Sequence, residues 1–358
     1  MKVLYTGYYR EQSEWGVATT NNILALDKQG IDVVCRAIQL GDTKTPESIK
    51  HLEQKDVTGC DIHIQHVFPK DLVKSSAFKK SIAIIGNDFF FVNHSHWIEH
   101  LKLVDEVWLP RTNVFDIPQD LTVKEAPYCF DTSKFKTTYD SLNVSSANGK
   151  FKVYTSFRKG AEERYAQVLR AFHGAFDATE PAEIFVYTPK NDSELVQRIS
   201  HDVKKKMRIY TTPELYKKEI IVPDSIDINR LHNYADCYVS SQSVPSLSSL
   251  DFDAMGFGNN PIVAQNNAAA EYCGDCCITV PSTFQSYSRE SGSIGDMANG
   301  RDFTLNICEL SLRRALRETF NEWVKNPVTF GVSRKQQGLA QAEKFSITNS
   351  HIGGLLNV

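Results

Sequence analysis

Short apolar runs alternate with amphipathic stretches along the first part of the chain. Apolar residues in VATTNNILALDKQG recur at helical spacing and stop at Gly30, a typical position just after a helix. Strands are predicted for MKVLYTGYY, IDVVCRAIQL, DIHIQHVF, SIAIIGNDFFF and EVWLP. Strands that alternate with helices predict a parallel sheet with crossover helices.

The alternation lapses over residues 131–150, a polar stretch rich in Ser, Thr, Asn and Lys, which predicts a boundary between domains. It then starts again. Further strands are predicted for FKVYTSF, EIFVYTP, MRIYTT, IIVP, DCYVSS and NPIVAQ. Helices are predicted for RKGAEERYAQVLRAFHGAF, ELVQRISHDVKKK, DINRLHNYA, LSSLDFDAMGFG, ICELSLRRALRETFNEWVKNP and SRKQQGLAQAEKFS.

This order predicts an α/β fold of two Rossmann-like, doubly wound domains that face a cleft. The N-terminal domain is expected at residues 1–145 and the C-terminal domain at 146–330. Residues 331–358 are expected to form a helix that packs back toward the N-terminal domain. Ligands of such sheets bind outside the carboxyl ends of the strands, so the loops there are the places to look for chemistry.

The composition fits two ordinary domains, with 358 residues of which 41% are hydrophobic. A net charge of −3 excludes a global basic field for nucleic acid. Apolar runs fall short of the roughly 20 residues of a membrane span, and no leader peptide is recognised, so a cytoplasmic protein is predicted. The cysteines are then expected to be free, and Cys273, Cys276 and Cys277 lack a matching second pair, so no metal site is predicted.

Three loops carry candidate ligand-binding residues. Gly16 is expected at the entry of the first helix, where uncovered amide groups favour a phosphate. Arg158 and Lys159 follow a predicted strand and precede a helix. Cations at a helix start oppose the helix dipole, so their presence favours a diphosphate ligand.

The third loop follows the strand DCYVSS. It leads through Pro245, which suits a first helical turn, into a predicted helix. The amides and hydroxyls of this turn are candidate phosphate contacts, and Asp253 further along is a candidate partner for ribose hydroxyls. The candidates in the turn are Ser243, Ser246, Leu247 and Ser248.

Four segments in this order resemble family 4 glycosyltransferases of the GT-B fold, and together they span most of the chain. They are VDEVWLP at 104–110, RKG at 158–160 with the AQVLRAFHGAF that follows it, NYADCYVSSQSVPSLSSLDFDAMGFGNNPIVA, and KFS at 344–346.

The resemblance implies that Lys159 and Arg158 hold the diphosphate of a nucleotide sugar and that Asp253 holds its ribose. The family's other donor-site glutamate is replaced by Pro245, so amides near Ser246 to Ser248 would face the sugar instead. In the N-terminal domain the family often presents a histidine at the cleft. His66 is an alternative for that role, and Asp88 is the first candidate for contact with the acceptor.

The function implied is a retaining, metal-independent hexosyl- or pentosyltransferase that needs no cofactor besides its nucleotide-sugar donor. The acceptor stays open among glycan, lipid, protein and modified nucleic-acid base. Two alternatives remain at this point. One is a catalytically decayed GT-B binding or partner protein, which the missing glutamate favours. The other is a nucleotide-sugar epimerase, which would turn over its donor without an acceptor.

Overall fold

A computed structural model describes residues 1–11, 13–38, 44–86, 95–111, 119–140, 142, 144–157, 159–242, 248–286 and 303–357. The chain divides into two compact units. Unit 1 comprises Met1–Thr132 and Glu343–Val358, and unit 2 comprises Ser133–Ala342.

The strands are β1 Lys2–Gly7, β2 Asp32–Ala37, β3 Ile62–His66, β4 Lys80–Ile84, β5 Glu106–Leu109, β6 Val123–Glu125, β7 Phe151–Ser156, β8 Ala182–Thr188, β9 Glu219–Pro223, β10 Cys237–Tyr238, β11 Ile262–Ala264, β12 Ile278–Val280, β13 Ser282–Ser286 and β14 Phe303–Ile307. The α-helices are α1 Glu14–Lys28, α2 Lys50–Glu53, α3 Ser95–Leu101, α4 Glu162–Ala175, α5 Ser193–Met207, α6 Ile228–Tyr234, α7 Ser249–Phe257, α8 Ala268–Cys273, α9 Glu309–Lys325 and α10 Phe330–Glu343. Short 3-10 helices include Pro69–Asp71, Ser133–Lys136 and Lys190–Asp192.

Unit 1 is built on a six-stranded sheet with the order β2-β1-β3-β4-β5-β6, in which every pairing is parallel. The chain moves from β1 to β2 on one side and then returns to place β3 on the other side. The topological switch point therefore lies between β1 and β3, where Gly7 is in register with His66.

The core of unit 1 includes side chains from the end of the chain. Ile347, Ile352 and Leu356 are buried in the same cluster as the apolar residues of β1, β2 and β3. A parallel bridge between Phe130 and Ser346 attaches this last segment to the unit. Unit 1 is thus completed by residues far away in the sequence.

Unit 2 repeats the design. Its main sheet has the order β10-β7-β8-β9, all parallel, and a parallel bridge from Val239 to Ile262 continues it to β11 and β12. The chain runs from β7 to β8 and β9 on one side before β10 forms on the other. Its switch point therefore lies between β7 and β10.

One predicted strand is wrong. The segment MRIYTT forms the end of α5 and a set of bends, with Arg208 in the left-handed region at φ 57°. The hydroxyl of Tyr216 accepts hydrogen bonds from the amides of Ile209 (2.8 Å) and Tyr210 (3.3 Å). Those amides are satisfied by a side chain, which replaces the bonds that a neighbouring strand would give.

Candidate functional site

Five of the ten site residues predicted from the sequence lie outside the described residues: Asp88, Arg158, Ser243, Ser246 and Leu247. The other five are described. Gly16 and His66 belong to unit 1, and Lys159, Ser248 and Asp253 belong to unit 2.

His66 ends β3 at the switch point of unit 1, and its side chain is only 1% exposed. Its Nδ1 lies 3.0 Å from the hydroxyl of Tyr5 and 3.3 Å from that of Thr19. Its Nε2 is buried and has no hydrogen-bond partner among the described residues. Gly86 lies beside this nitrogen: a β-carbon on Gly86 would be 3.3 Å from it.

The sequence places Gly16 just before the first helix, and the structure differs. Gly16 lies within α1, and its amide donates to the Oγ of Ser13, the N-cap residue, at 3.2 Å. A β-carbon on Gly16 would overlap the backbone carbonyl of Glu11. The glycine is therefore required by a close approach of the preceding loop, and its amide is already engaged.

Burial lowers the pKa of His66 to about 3. In the unfolded chain an ordinary histidine has a pKa near 6.5, so between these values only the unfolded state is protonated. The stability contributed by the neutral ring is complete above about pH 6.5 and falls as the pH is lowered toward 3.

We expect protonation of His66 in the unfolded state to lower the free energy of unfolding by about 2 kcal/mol when the pH is lowered from 7 to 5. Urea unfolding at the two pH values should show a smaller loss for His66→Gln, which cannot be protonated, than for wild type. His51→Gln replaces an exposed histidine and is the matched control. An equal loss in wild type and His66→Gln would contradict the prediction.

Lys159 follows β7 at the carboxyl edge of the unit 2 sheet. It is exposed, and its backbone amide donates to a carboxylate oxygen of Asp192 at 3.2 Å. Gly160 follows with φ 100°, a conformation that favours glycine. The helix α4 then begins at Ala161 as N-cap, without a side-chain hydrogen bond to cover its first amides. An exposed cation thus stands beside an uncapped helix start.

Three further polar residues at this edge were missed in the sequence. Ser156 ends β7 and Ser241 follows β10, and their hydroxyl oxygens are 2.8 Å apart across the switch point. Arg164, in the first turn of α4, is only 5% exposed, and its Nε has no hydrogen-bond partner among the described residues. Burial lowers its pKa to about 10, against the opposing effect of the nearby Asp251 carboxylate. Serine in a strand and arginine in an amphipathic helix give no signal in sequence, and only the sheet order brings the two serines together.

Ser248 is the N-cap of α7, and its hydroxyl accepts a hydrogen bond from the amide of Leu250 at 3.2 Å. Asp253 lies further along the same helix and is only 5% exposed. A carboxylate oxygen of Asp253 is 2.6 Å from the Nζ of Lys134, an ion pair within unit 2. Ser248 therefore fixes the helix start, and any ligand of Asp253 would share the carboxylate with Lys134.

Other features limit the kinds of site present. Within the described ranges, no group of three or more His, Cys, Asp or Glu side chains is placed to hold a metal ion. All eight cysteines lie in those ranges and are free thiols. No helix of the part of the chain that the structure describes is long and apolar enough to cross a bilayer.

Solved structures of known proteins superpose on nearly the whole chain. Sucrose-phosphate synthase from Thermosynechococcus elongatus matches with a TM-score of 0.59 and 11% identity, over 100% of this chain and 97% of that one. A glycosyltransferase from Rickettsia africae matches with a TM-score of 0.58 and 10% identity, over 99% and 97%. These are two-domain GT-B proteins. The chain has the GT-B fold. The predicted α/β fold class of two Rossmann-like domains is confirmed.

The GT-B likeness extends beyond transferases. A putative UDP-N-acetylglucosamine 2-epimerase from Listeria monocytogenes matches with a TM-score of 0.53 and 10% identity, over 99% of this chain and 94% of that one. No protein-family model and no curated protein matches the sequence. Membership of glycosyltransferase family 4 therefore stays a prediction, and identities this low bear on the GT-B fold alone.

Proposed function

We propose that the protein is a retaining glycosyltransferase that binds a nucleotide-diphosphate sugar at the carboxyl edge of the unit 2 sheet. The observation that carries the proposal is the position of two of the segments that resemble family 4 glycosyltransferases. They follow the two strands that flank the unit 2 switch point. Lys159 follows β7, and the segment that leads to Ser248 follows β10. Switch points are where open α/β sheets bind their ligands.

The diphosphate is the ligand that this edge suits best. Lys159 supplies an exposed positive charge, and the uncapped start of α4 supplies amide groups. Arg164, buried in the first turn of α4, is a second cation at this helix start, and the nearby Asp251 carboxylate offsets part of its charge. In a transfer reaction the bond between the sugar and the diphosphate breaks, and negative charge grows on the leaving phosphate. Fixed cations and amides stabilise that charge, which is the main catalytic contribution that we assign to unit 2.

The remaining assignments follow the family resemblance. Asp253 holds the ribose, and the amides near Ser248 face the sugar, with no metal taking part. The acceptor binds to unit 1, where His66 and Asp88 are the candidate contacts. The free cysteines fit a reducing compartment, and we place the reaction in the cytoplasm.

Calorimetry with UDP, GDP and ADP tests the donor site directly. We expect at least one diphosphate to bind with a Kd below about 1 mM, and the corresponding nucleoside to bind at least about tenfold more weakly. No binding of any of the three at several times that concentration would overturn the proposal. Release of an epimer from UDP-N-acetylglucosamine without an acceptor would replace transferase by epimerase. Diphosphate binding with no turnover of any donor would indicate the decayed form.

The ribose role of Asp253 predicts a selective effect. Asp253→Ala should weaken the binding of UDP about tenfold, because ribose hydroxyls lose their acceptor, and leave the binding of inorganic pyrophosphate unchanged. Calorimetry with both ligands measures the difference.

Lys134→Met is the matched control, because it breaks the same ion pair but keeps the carboxylate. If both variants bind UDP alike, the carboxylate serves only to hold Lys134, and the ribose assignment fails.

A further inference from the structure

Three aromatic side chains form one cluster at the carboxyl edge of the unit 1 sheet. The ring centroids of Trp15 and Phe68 are 4.7 Å apart, and those of Tyr8 and Phe68 are 5.4 Å apart. Tyr8 is fully buried, whereas Trp15 and Phe68 are partly exposed. We call Tyr8, Trp15 and Phe68 the aromatic platform. Trp15 and Phe68 thus keep part of their surface exposed to solvent at this edge.

The platform lies at the place where the fold binds ligands. Tyr8 follows β1 and Phe68 follows β3, the two strands that flank the switch point of unit 1. The ring of Trp15 is also 5.7 Å from that of His66. His66 is almost wholly buried and keeps its Nε2 without a hydrogen-bond partner among the described residues. A polar atom held in this way is a second indication of a ligand.

Two carboxylates lie beside Tyr8 of the platform, and the exposed Lys70 immediately precedes one of them in sequence. The Tyr8 hydroxyl donates to one carboxylate oxygen of Asp71 at 2.7 Å, and Asp71 is partly exposed. The carboxylates of Asp71 and Glu11 both raise the pKa of Tyr8, in addition to the larger effect of burial. The nearby guanidinium of Arg10 is engaged by Glu53 at 2.8 Å. The platform thus combines aromatic rings with carboxylate oxygens that accept hydrogen bonds.

We propose that the acceptor is a neutral saccharide, which stacks on Trp15 and Phe68 and donates a hydroxyl hydrogen bond to Asp71. The C–H face of a sugar ring is apolar and packs on the electron-rich face of an aromatic ring. Its hydroxyls are hydrogen-bond donors that suit a carboxylate. The carboxylates of Asp71 and Glu11 would repel the phosphates of a nucleic acid, and a hydrocarbon chain would shield them from water without offering a hydrogen-bond donor. This assignment rests on the proposed transferase function, of which it names the acceptor class.

Saturation-transfer NMR on the full chain tests the proposal with maltose, cellobiose, sucrose and lactose as probes. We expect at least one disaccharide to show transfer to its ring C–H protons. Trp15→Leu, which keeps bulk but removes the ring, and Phe68→Ala should each weaken its binding about tenfold. Asp71→Asn should weaken it as well. Phe284→Ala removes an exposed phenyl ring from unit 2 and should change nothing.

Three results would overturn the proposal: no disaccharide binding at about 10 mM, binding that the Trp15→Leu and Phe68→Ala variants retain, or platform-dependent binding of a single-stranded oligonucleotide instead. Folding of unit 1 in each variant is checked by thermal unfolding, which should match that of the wild type. Loss of saccharide binding with unchanged unfolding assigns the effect to the platform. Saccharide binding in a protein that binds no nucleoside diphosphate would overturn the transferase function and leave the platform standing as a sugar site.

Discussion

Replacing Lys159 by alanine should lower the kcat for a nucleotide-diphosphate sugar about 100-fold, because a fixed cation at the leaving phosphate is lost. The side chain is exposed and makes no ion pair with a described residue, so the protein should fold normally. Release of the nucleoside diphosphate from a sugar donor that the wild type turns over measures the effect.

Lys205→Ala is the control for Lys159→Ala. Lys205 is also an exposed lysine of unit 2, in the last turn of α5, and its removal changes the net charge by the same amount. The control should keep full turnover. If the kcat of Lys159→Ala is within twofold of that of the control, the diphosphate does not bind at the carboxyl end of β7.

Replacing Gly338 by alanine should destabilise unit 2 by about 3 kcal/mol, the upper end of the range for overpacking. Gly338 is a buried residue of α10, and a β-carbon on it would overlap the backbone carbonyl oxygen of Met255, near the end of α7. Backbone atoms on both sides leave no flexible side chain to move aside. The two helices would therefore have to separate.

Gly331→Ala in the same helix is the matched comparison. A β-carbon on Gly331 meets no atom within 4 Å, so the change should be neutral or stabilising, because alanine favours helix. Thermal unfolding of the two variants and the wild type measures the difference. Equal midpoints for Gly338→Ala and the wild type would show that α7 and α10 do not approach as closely as described.

The positive charge beside a helix start was visible in the sequence, whereas its surroundings were not. Lys159 stood out because cations oppose the helix dipole at that position. Ser156, Ser241 and Arg164 carry no such signal, since each is unremarkable within its own strand or helix. Ser156 and Ser241 meet only because β10 pairs with β7 across a long connection.

The segment 131–150 shows the same limit at the scale of a domain. It is polar, and its pattern indicated only a boundary. Yet Phe135 is 1% exposed and packs against Phe257, with ring centroids 5.4 Å apart. Lys134 beside it reaches the carboxylate of Asp253. A single buried aromatic in a polar stretch has no periodicity, so its partners could not be predicted.

The sequence by itself determined the alternation of strands and helices and the α/β class, and it predicted which loops are candidates for ligand binding. These depend on the local period of apolar residues and on glycine, proline and charge at element ends. Tertiary structure alone decided which loops meet, because the order of strands in a sheet is set by long-range packing and leaves no local trace. It also placed Trp15 beside His66 and Phe68 and gave Asp253 a lysine partner.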